Sequence, residues 1–207
     1  MPETTTLFLI DPDPLARRIV GRIADQMNLD FRNYTSAEDF VEAYTRRTPG
    51  CIIAEFRLLG ISGIELQNRL VDEGISLPII FVSAHAEIAF AVRAMKQGAI
   101  TVLEKPVSEQ ALWDSIQHAL AHAKRVRRMD AKHAAIGMRL AKLTSKERDV
   151  FDLLVQGHPN KAIANRLDLS IRTVEARRHH IFRKTGTKSI AQLVRMVVET
   201  ERRGGDR

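Results

Sequence analysis

The stretch 143–194 most constrains the fold, because it divides into short helices with little chain between them. It opens on Thr144 and Glu147, which have the spacing of a capping box at the start of a helix. Gly157 and Pro159 then end that helix. Asn160 is expected to cap a short second helix, and Ser170 to cap a third. The pattern predicts a small all-α domain of four helices, closed by a last helix at about Ser189–Glu199.

The third of these helices has two chemically different faces. Val174 and Ile181 stand seven residues apart and mark a buried face. A polar and cationic set falls on the opposite face: Arg172, Glu175, Ala176, His179 and Arg183. A tight turn followed by a helix with such an outer face is typical of a helix that enters the major groove of DNA.

The outer face divides into two predicted roles, because base edges carry sequence information and phosphates do not. The residues expected nearest to base edges are Glu175, Ala176 and His179. Those expected to reach phosphates are Lys161, Arg172, Thr173, Arg177 and Arg183. The predicted partner is therefore double-stranded DNA.

The distribution of charge agrees with this interpretation. Residues 1–121 contain 11 basic and 16 acidic side chains, whereas residues 122–207 contain 21 basic and 9 acidic side chains. A basic half joined to an acidic half is typical of a nucleic-acid-binding domain with a separate control domain. No apolar run approaches the ~20 residues of a membrane span, and the N-terminus lacks the order of a signal peptide. We therefore expect a cytoplasmic protein.

The first 121 residues alternate short apolar strands with helices, five times in succession. Such alternation predicts an α/β domain with a doubly wound, five-stranded parallel sheet of the flavodoxin-like kind. In these sheets functional groups collect at the carboxyl ends of the strands. The side chains at those ends are Asp11, Glu55, Ser83 and Lys105, with Asp13 close behind the first.

These pieces, in this order, resemble a known family. Residues 5–121 resemble the receiver domain of two-component response regulators, through Ile10-Asp11, Glu55 with Leu59-Gly-Ile-Ser-Gly63, Val82-Ser-Ala84 and Glu104-Lys-Pro106. Residues 143–194 resemble the LuxR-type helix-turn-helix, through Leu143-Thr, Glu147-Arg148, Asn160-Lys161, Thr173-Val-Glu175 and Arg183-Lys-Thr-Gly186. The whole chain resembles a transcription regulator of the NarL/FixJ class, which is not an enzyme.

The receiver half departs from the family pattern at three positions. Glu55 stands where the resemblance implies an aspartate that accepts phosphate, and Pro12 replaces the second of two metal-holding acids. Asp13 is displaced by one residue, and Val102 replaces an aromatic residue that moves on activation. Ser83 and Lys105 keep the family's residue types. We therefore expect no cofactor, no Mg²⁺ site and a receiver that works independently of phosphorylation.

Two interpretations of Glu55 remain open. It can act as a fixed acidic surrogate for the phosphoryl group, accepting from Ser83 and pairing with Lys105. Alternatively, the three side chains only satisfy one another's charges and hydrogen bonds. A conventional phosphorylation-switched regulator is a further alternative for the whole chain.

The predicted organisation has four parts. A receiver-like domain covers residues 1–121, a helical linker 122–142, the helix-turn-helix domain 143–200 and a disordered tail 201–207. A homodimer is expected, because one such DNA-binding module buries little surface alone. A regulatory protein and RNA polymerase are further candidate partners.

Two other classes of protein are alternatives to this interpretation. A sigma-like factor also uses a helix-turn-helix that opens on Leu-Thr and Glu-Arg, but it would not carry the receiver-like half. An enzyme on a flavodoxin-like sheet is the other alternative. The sequence shows no Gly-rich phosphate loop, nucleophile elbow or metal-ligand spacing to support it.

Overall fold

The structure, a computed structural model, describes residues 4–45, 48–84 and 87–201, with the side chains of 200 and 201 excepted. The chain divides into two compact units, Met1–Arg127 and Arg128–Arg207. This division falls inside the predicted linker. Residues 202–207 of the predicted disordered tail lie outside the described residues. Within the described part of the chain, no helix is long and apolar enough to cross a membrane.

The first unit alternates strands and helices as the sequence predicts. Its strands are β1 (Thr6–Ile10), β2 (Asp30–Tyr34), β3 (Gly50–Glu55), β4 (Ile79–Ser83) and β5 (Thr101–Glu104). Its helices are α1 (Pro14–Gln26), α2 (Ala37–Ala43), α3 (Gly63–Asp72), α4 (Ile88–Lys96) and the beginning of α5 (Glu109–Ala141). All four pairings are parallel, in the order β2-β1-β3-β4-β5. This is the doubly wound sheet that the alternation predicts.

Alternating side chains of the central strands pack into two separate hydrophobic cores, one on each face of the sheet. On β1, Phe8 and Ile10 pack on one face of the sheet, and Leu7 and Leu9 pack on the other. Aromatic and aliphatic side chains of α2, α3 and α4 cover the first face, whereas α1 and α5 cover the second. The single cysteine, Cys51, is fully buried in β3. Because helices cover both faces of the sheet, the polar carboxyl ends of the strands are the part of the sheet where a functional site is expected.

The second unit contains the four helices that the sequence predicts. They are α6 (Ser145–Val155), α7 (Asn160–Leu167), α8 (Ile171–Thr185) and α9 (Ile190–Glu201). Its core also includes the C-terminal part of α5, through Ile136 and Leu140. The helix α5 runs without interruption from Glu109 to Ala141. The last turns of the predicted linker are therefore part of the packed helical unit.

Candidate regulatory site and nucleic-acid interface

One lysine joins two carboxylates at the carboxyl edge of the sheet. Lys105 follows β5, Asp11 follows β1 and Glu55 ends β3. The Nζ atom of Lys105 lies 2.8 Å from Asp11 Oδ2 and 2.8 Å from Glu55 Oε2. Asp11 is almost fully buried, and Glu55 is half-buried. The strand-end convergence predicted from the sequence therefore brings these three side chains into direct contact.

Glu55 is held at both carboxylate oxygens. While Oε2 accepts from Lys105, Oε1 accepts from the backbone N–H groups of Phe56, at 2.8 Å, and Arg57, at 3.3 Å. The carboxylate is thus folded back on its own turn. Burial lowers the pKa of Lys105, but the hydrogen bonds and charges of Asp11 and Glu55 outweigh it, and the net effect raises that pKa. Lys105 is therefore a cation throughout the physiological range.

Asp13 has a structural task at the start of α1. Its carboxylate accepts from the backbone N–H of Leu15 at 2.8 Å, and Pro14 occupies the first helical turn. Its own N–H donates to Asp11 Oδ1 at 2.8 Å. Asp13 therefore caps a helix, next to Asp11 but facing a different set of donors.

The residues at this edge do not fit a divalent metal ion. Mg²⁺ requires several oxygen ligands in octahedral geometry. Of the candidate oxygens, both of Asp11 are engaged, both of Glu55 are engaged, and Pro12 offers no side-chain ligand. Among the residues that the structure describes, no group of three potential ligands could hold a metal ion.

The two remaining receiver positions lie on the neighbouring strands. Ser83 ends β4 and is almost fully buried, beside Val82, the β4 partner of Glu55. Its backbone carbonyl accepts from the N–H of Lys105 at 2.8 Å. Val102 on β5 is partly buried and packs against the core on the α4 side of the sheet. A valine at this position has no aromatic ring and no hydroxyl group that could move in response to a change at the carboxyl edge of the sheet.

In the second unit, α8 has the two faces predicted from its sequence. Ser170 caps it by accepting from the N–H of Thr173, and the left-handed Gly186 ends it. Val174 and Ile181 are fully buried. Five side chains on the other face are exposed: Arg172, Glu175, Ala176, His179 and Arg183.

The predicted phosphate-binding residues outside that set are less uniform. Lys161 is exposed on α7, and Thr173 is partly buried at the first turn of α8. Arg177 is partly buried and donates to the backbone carbonyl of Lys146 at 3.2 Å, so it links α8 to α6.

A buried carboxylate fixes the inner side of α8. Glu147 Oε2 accepts from Lys184 Nζ at 2.6 Å and from the backbone N–H of Thr144 at 2.8 Å. Lys184, together with the Thr144 cap, lowers the pKa of Glu147 to about 2. The capping box of α6 is therefore present as predicted, and its glutamate also anchors α8.

The expected cap of α7 is wrong. Pro159 occupies the cap position with φ −69° and ψ 154°, and Asn160 is the first residue of the helix. The proline ring holds φ near the value that this position needs, so the helix begins without a side-chain cap. The side-chain amide oxygen of Asn160, Oδ1, instead accepts from Arg178 at 3.3 Å, and Arg178 also lies over the Phe182 ring.

Comparisons with known proteins agree with this geometry. Residues 7–117 match the response regulator receiver domain family, and residues 141–197 match the luxR family of bacterial regulatory proteins. The chain belongs to the response regulator family. This response regulator is 34% identical to the transcriptional regulatory protein FixJ of Azorhizobium caulinodans, over 96% of this chain and 94% of FixJ. It is 34% identical to the transcriptional regulatory protein TdiR of Thauera aromatica, over 95% of this chain and 86% of TdiR.

A solved structure gives the same result. The response regulator StyR matches with a TM-score of 0.84 and 34% identity, over 95% of this chain and 99% of StyR. The resemblance to NarL/FixJ-type regulators is therefore confirmed. This chain is a DNA-binding response regulator of the FixJ and LuxR type, a family of transcription regulators rather than enzymes.

Sequence reasoning missed two features of this response regulator. The Lys184–Glu147 contact joins residues 37 positions apart, and only the capping half of it has a local pattern. A cavity between α1 and α5 has no sequence pattern at all, because many separated apolar residues shape it.

Proposed function

We propose that this response regulator binds DNA without needing phosphorylation, with its receiver edge held by Lys105. The observation that carries this proposal is the shared contact of Lys105 with Asp11 and Glu55. Glutamate is one methylene longer than aspartate, and in this proposal that length lets Oε2 meet Lys105 while Oε1 stays bound to the backbone N–H of Phe56. It supplies a charge of −1 rather than the roughly −2 of a phosphate. The edge therefore carries a permanent acidic group already paired with its lysine.

The DNA-binding face is proposed to be the exposed side of α8. Arg172 and Arg183 are exposed there and Lys161 on α7, so their cationic groups are available to phosphates. Glu175, Ala176 and His179 are the candidates for base edges, where the short Ala176 side chain favours contact with a thymine methyl group. Arg177 and Thr173 join the phosphate-binding set in this proposal, although both also have partners within the protein.

A homodimer on a two-fold related site is the proposed binding unit. On α9, Ala191 and Val198 are exposed, and Val194 is partly exposed. These residues follow helical spacing and form one apolar stripe that a second copy can cover. A footprint that spans only one half-site at saturation would contradict the dimer. RNA polymerase, or a regulatory protein acting in the cytoplasm, completes the proposed set of partners.

Treatment with a phosphoryl donor tests the receiver. The full chain is incubated with acetyl phosphate, or with beryllofluoride, each with Mg²⁺. Intact mass, dimerisation and DNA affinity are then measured. We expect no stable adduct and less than about a threefold change in affinity. A stable phosphoryl adduct, or a gain of about tenfold (1.4 kcal/mol), would overturn the proposal in favour of a conventional phosphorylation switch.

The variant Glu55→Gln distinguishes a surrogate charge from simple packing. The carboxamide oxygen can still accept from Lys105, but the negative charge and the second acceptor, which the Phe56 N–H uses, are lost. If Glu55 acts as a surrogate, dimerisation and DNA affinity change in this variant while the fold is kept. Glu42→Gln, an exposed change of the same kind on α2, is the control. Unchanged DNA binding in Glu55→Gln would mean that Glu55 is only structural.

A further inference from the structure

A cavity of about 410 Å³ lies between α1 and α5 in the first unit. Its floor is the sheet, through Leu9, Ile53 and Val82, and its walls are mainly aliphatic side chains such as Ile19 and Leu112. Small-molecule sites are typically clefts of ~300–1,000 Å³ with apolar walls and a few polar groups. In both size and lining, this cavity has the properties of a ligand site.

The polar groups lie together at one end of the cavity. They are Asp11, Asp13 and Lys105. The positive charge of Lys105 is already shared between Asp11 and Glu55, since its Nζ atom lies 2.8 Å from each carboxylate. The hydrogen bond that Asp13 accepts comes from a backbone N–H, and among the described residues its carboxylate has no cationic partner. The polar end therefore carries a net negative charge.

This charge decides which class of ligand fits. An anionic head group would approach the carboxylates of Asp11 and Asp13 and only one cation, Lys105, which is already paired. A bare divalent cation would find both oxygens of Asp11 engaged and would leave the apolar walls uncovered. A neutral apolar molecule would place no partner beside Asp13. A ligand with an ammonium head group would pair with the carboxylate of Asp13, and the apolar remainder of that ligand would fill the rest of the cavity.

We propose that this cavity binds a small molecule with an apolar body and a primary ammonium head, with the head placed at Asp13. Asp13 is preorganised for this task, because Pro12 and Pro14 flank it and its N–H is bound to Asp11. The site lies wholly within the first unit. It goes beyond the proposed DNA binding and can be tested by ligand binding alone.

Three probes of nearly equal size test the head group. They are 4-phenylbutylamine, 4-phenylbutan-1-ol and 4-phenylbutyrate, added to the full chain and followed by calorimetry and by methyl NMR of Ile19 and Leu112. We expect the amine to bind with a Kd below about 1 mM, and the alcohol to bind about tenfold more weakly. The carboxylate should not bind. No binding of the amine up to about 5 mM, or an alcohol or carboxylate that binds as tightly as the amine, overturns the proposal.

Two variants separate the head from the body of the site. Asp13→Asn removes the charge but keeps a residue that caps helices well, so it should weaken amine binding about tenfold and leave alcohol binding unchanged. Ala16→Leu fills the cavity and should weaken both. Asp25→Asn, an exposed residue of α1 away from the cavity, is the charge-matched control.

The fluorescence of Trp113, which packs in the same core, checks that each variant is folded. A folded Asp13→Asn variant that binds the amine as tightly as the wild type would exclude Asp13 as the head site. Amine binding that survives Ala16→Leu would place the ligand outside this cavity. Because every readout is ligand binding by the first unit, neither result depends on whether the second unit binds DNA.

Discussion

Each unit of this response regulator contains a partly buried lysine that is bound to carboxylates. In the first unit Lys105 binds Asp11 and Glu55, which form the Lys105 cluster, and in the second unit Lys184 binds Glu147, which forms the Lys184 cluster. Lys105 is 24% exposed and contacts two carboxylates, whereas Lys184 is 27% exposed and contacts one. The lysines are thus nearly matched in exposure. The two clusters differ in the number of acids and in where they lie.

The two clusters lie at different places in the fold, and different side chains remain exposed beside them. The Lys105 cluster lies at the strand ends, where functional groups of such sheets collect, and it joins Asp11 to Glu55. The Lys184 cluster lies beneath α8 and fixes that helix from the inside. The outer side chains, His179 and Arg183 among them, remain exposed. Similar ion pairs therefore lie at a strand edge in the first unit and beneath a helix in the second.

The largest effect is expected from Lys105→Met. This change keeps the length of the side chain but leaves Asp11 and Glu55 buried without a cation, and breaking a buried pair is strongly destabilising. We expect a loss of about 3 kcal/mol in the free energy of unfolding of the first unit. Urea unfolding followed by the single tryptophan, Trp113, measures it. Arg32→Met, which removes a cation from an exposed ion pair with Asp30, is the control and should change stability far less.

Lys184→Met should have a smaller effect, because only one carboxylate loses its partner. The Thr144 N–H still donates to Glu147 in this variant, so we expect a loss of about 1.5 kcal/mol, confined to the second unit. Hydrogen exchange of peptides from α6 and α8 measures it. Lys132→Met, which removes the cation of a more exposed pair with Glu199, is the matched control. An equal loss in Lys105→Met and Lys184→Met would remove the proposed role of the second carboxylate.

Two shifted pKa values determine how the stability of the two units depends on pH. The pKa of Glu147 is lowered from 4.5 to about 2, so its contribution is complete above pH 4.5 and is lost as the pH falls toward 2. The pKa of Lys105 is raised above its usual 10.5, so the contribution of this shift is present below 10.5 and is lost as the pH rises beyond that value. The stability gap between wild type and Glu147→Gln should therefore close in acid. A gap that persists at pH 2 would contradict the assignment.

At the surface of α8, Arg183→Ala should weaken DNA binding for every sequence. A lost phosphate contact reduces the slope of log affinity against log salt by ~0.9. We expect an affinity about tenfold lower at low salt. Fluorescence anisotropy over a range of salt concentrations measures both quantities. Arg18→Ala, an exposed arginine of α1, removes the same charge from the other unit and should leave the slope unchanged.

The smallest effect is expected from His179→Ala, which should change sequence preference more than overall affinity. A base-edge contact contributes ~1–3 kcal/mol of discrimination, and a single imidazole is expected near the lower limit. Selection of binding sites from a random pool measures the preference. A preference identical to that of the wild type would remove His179 from the base-reading set.

The sequence predicts those features that local chemistry determines. The Thr144 and Glu147 capping box has a fixed spacing of three residues, and the structure contains both of its hydrogen bonds. The meeting of Glu55 with Lys105 is also predictable, because parallel strands place their carboxyl ends on one edge of the sheet. The buried and exposed faces of α8 follow from helical periodicity alone.

The features that the sequence does not predict depend on distant packing. Lys184 finds Glu147 only once α8 lies against α6, and no pattern in either helix indicates this contact. Asn160 has the right side chain for a helix cap, but Pro159 takes that position because its ring already holds the required φ. The cavity between α1 and α5 reflects how several aliphatic side chains pack around an empty volume, which periodicity cannot specify.

Because Cys51 is buried, the reactivity of its thiol is a probe of how often the sheet opens. This thiol is the only one in the chain, it is fully buried in the central strand β3, and burial raises its pKa to about 12. A thiol reagent reacts with the thiolate, so modification must wait until the strand is transiently released. The rate of alkylation in untreated protein therefore reports how often the sheet opens. Because the probe is native, the opening of wild type and variants can be timed without adding a label.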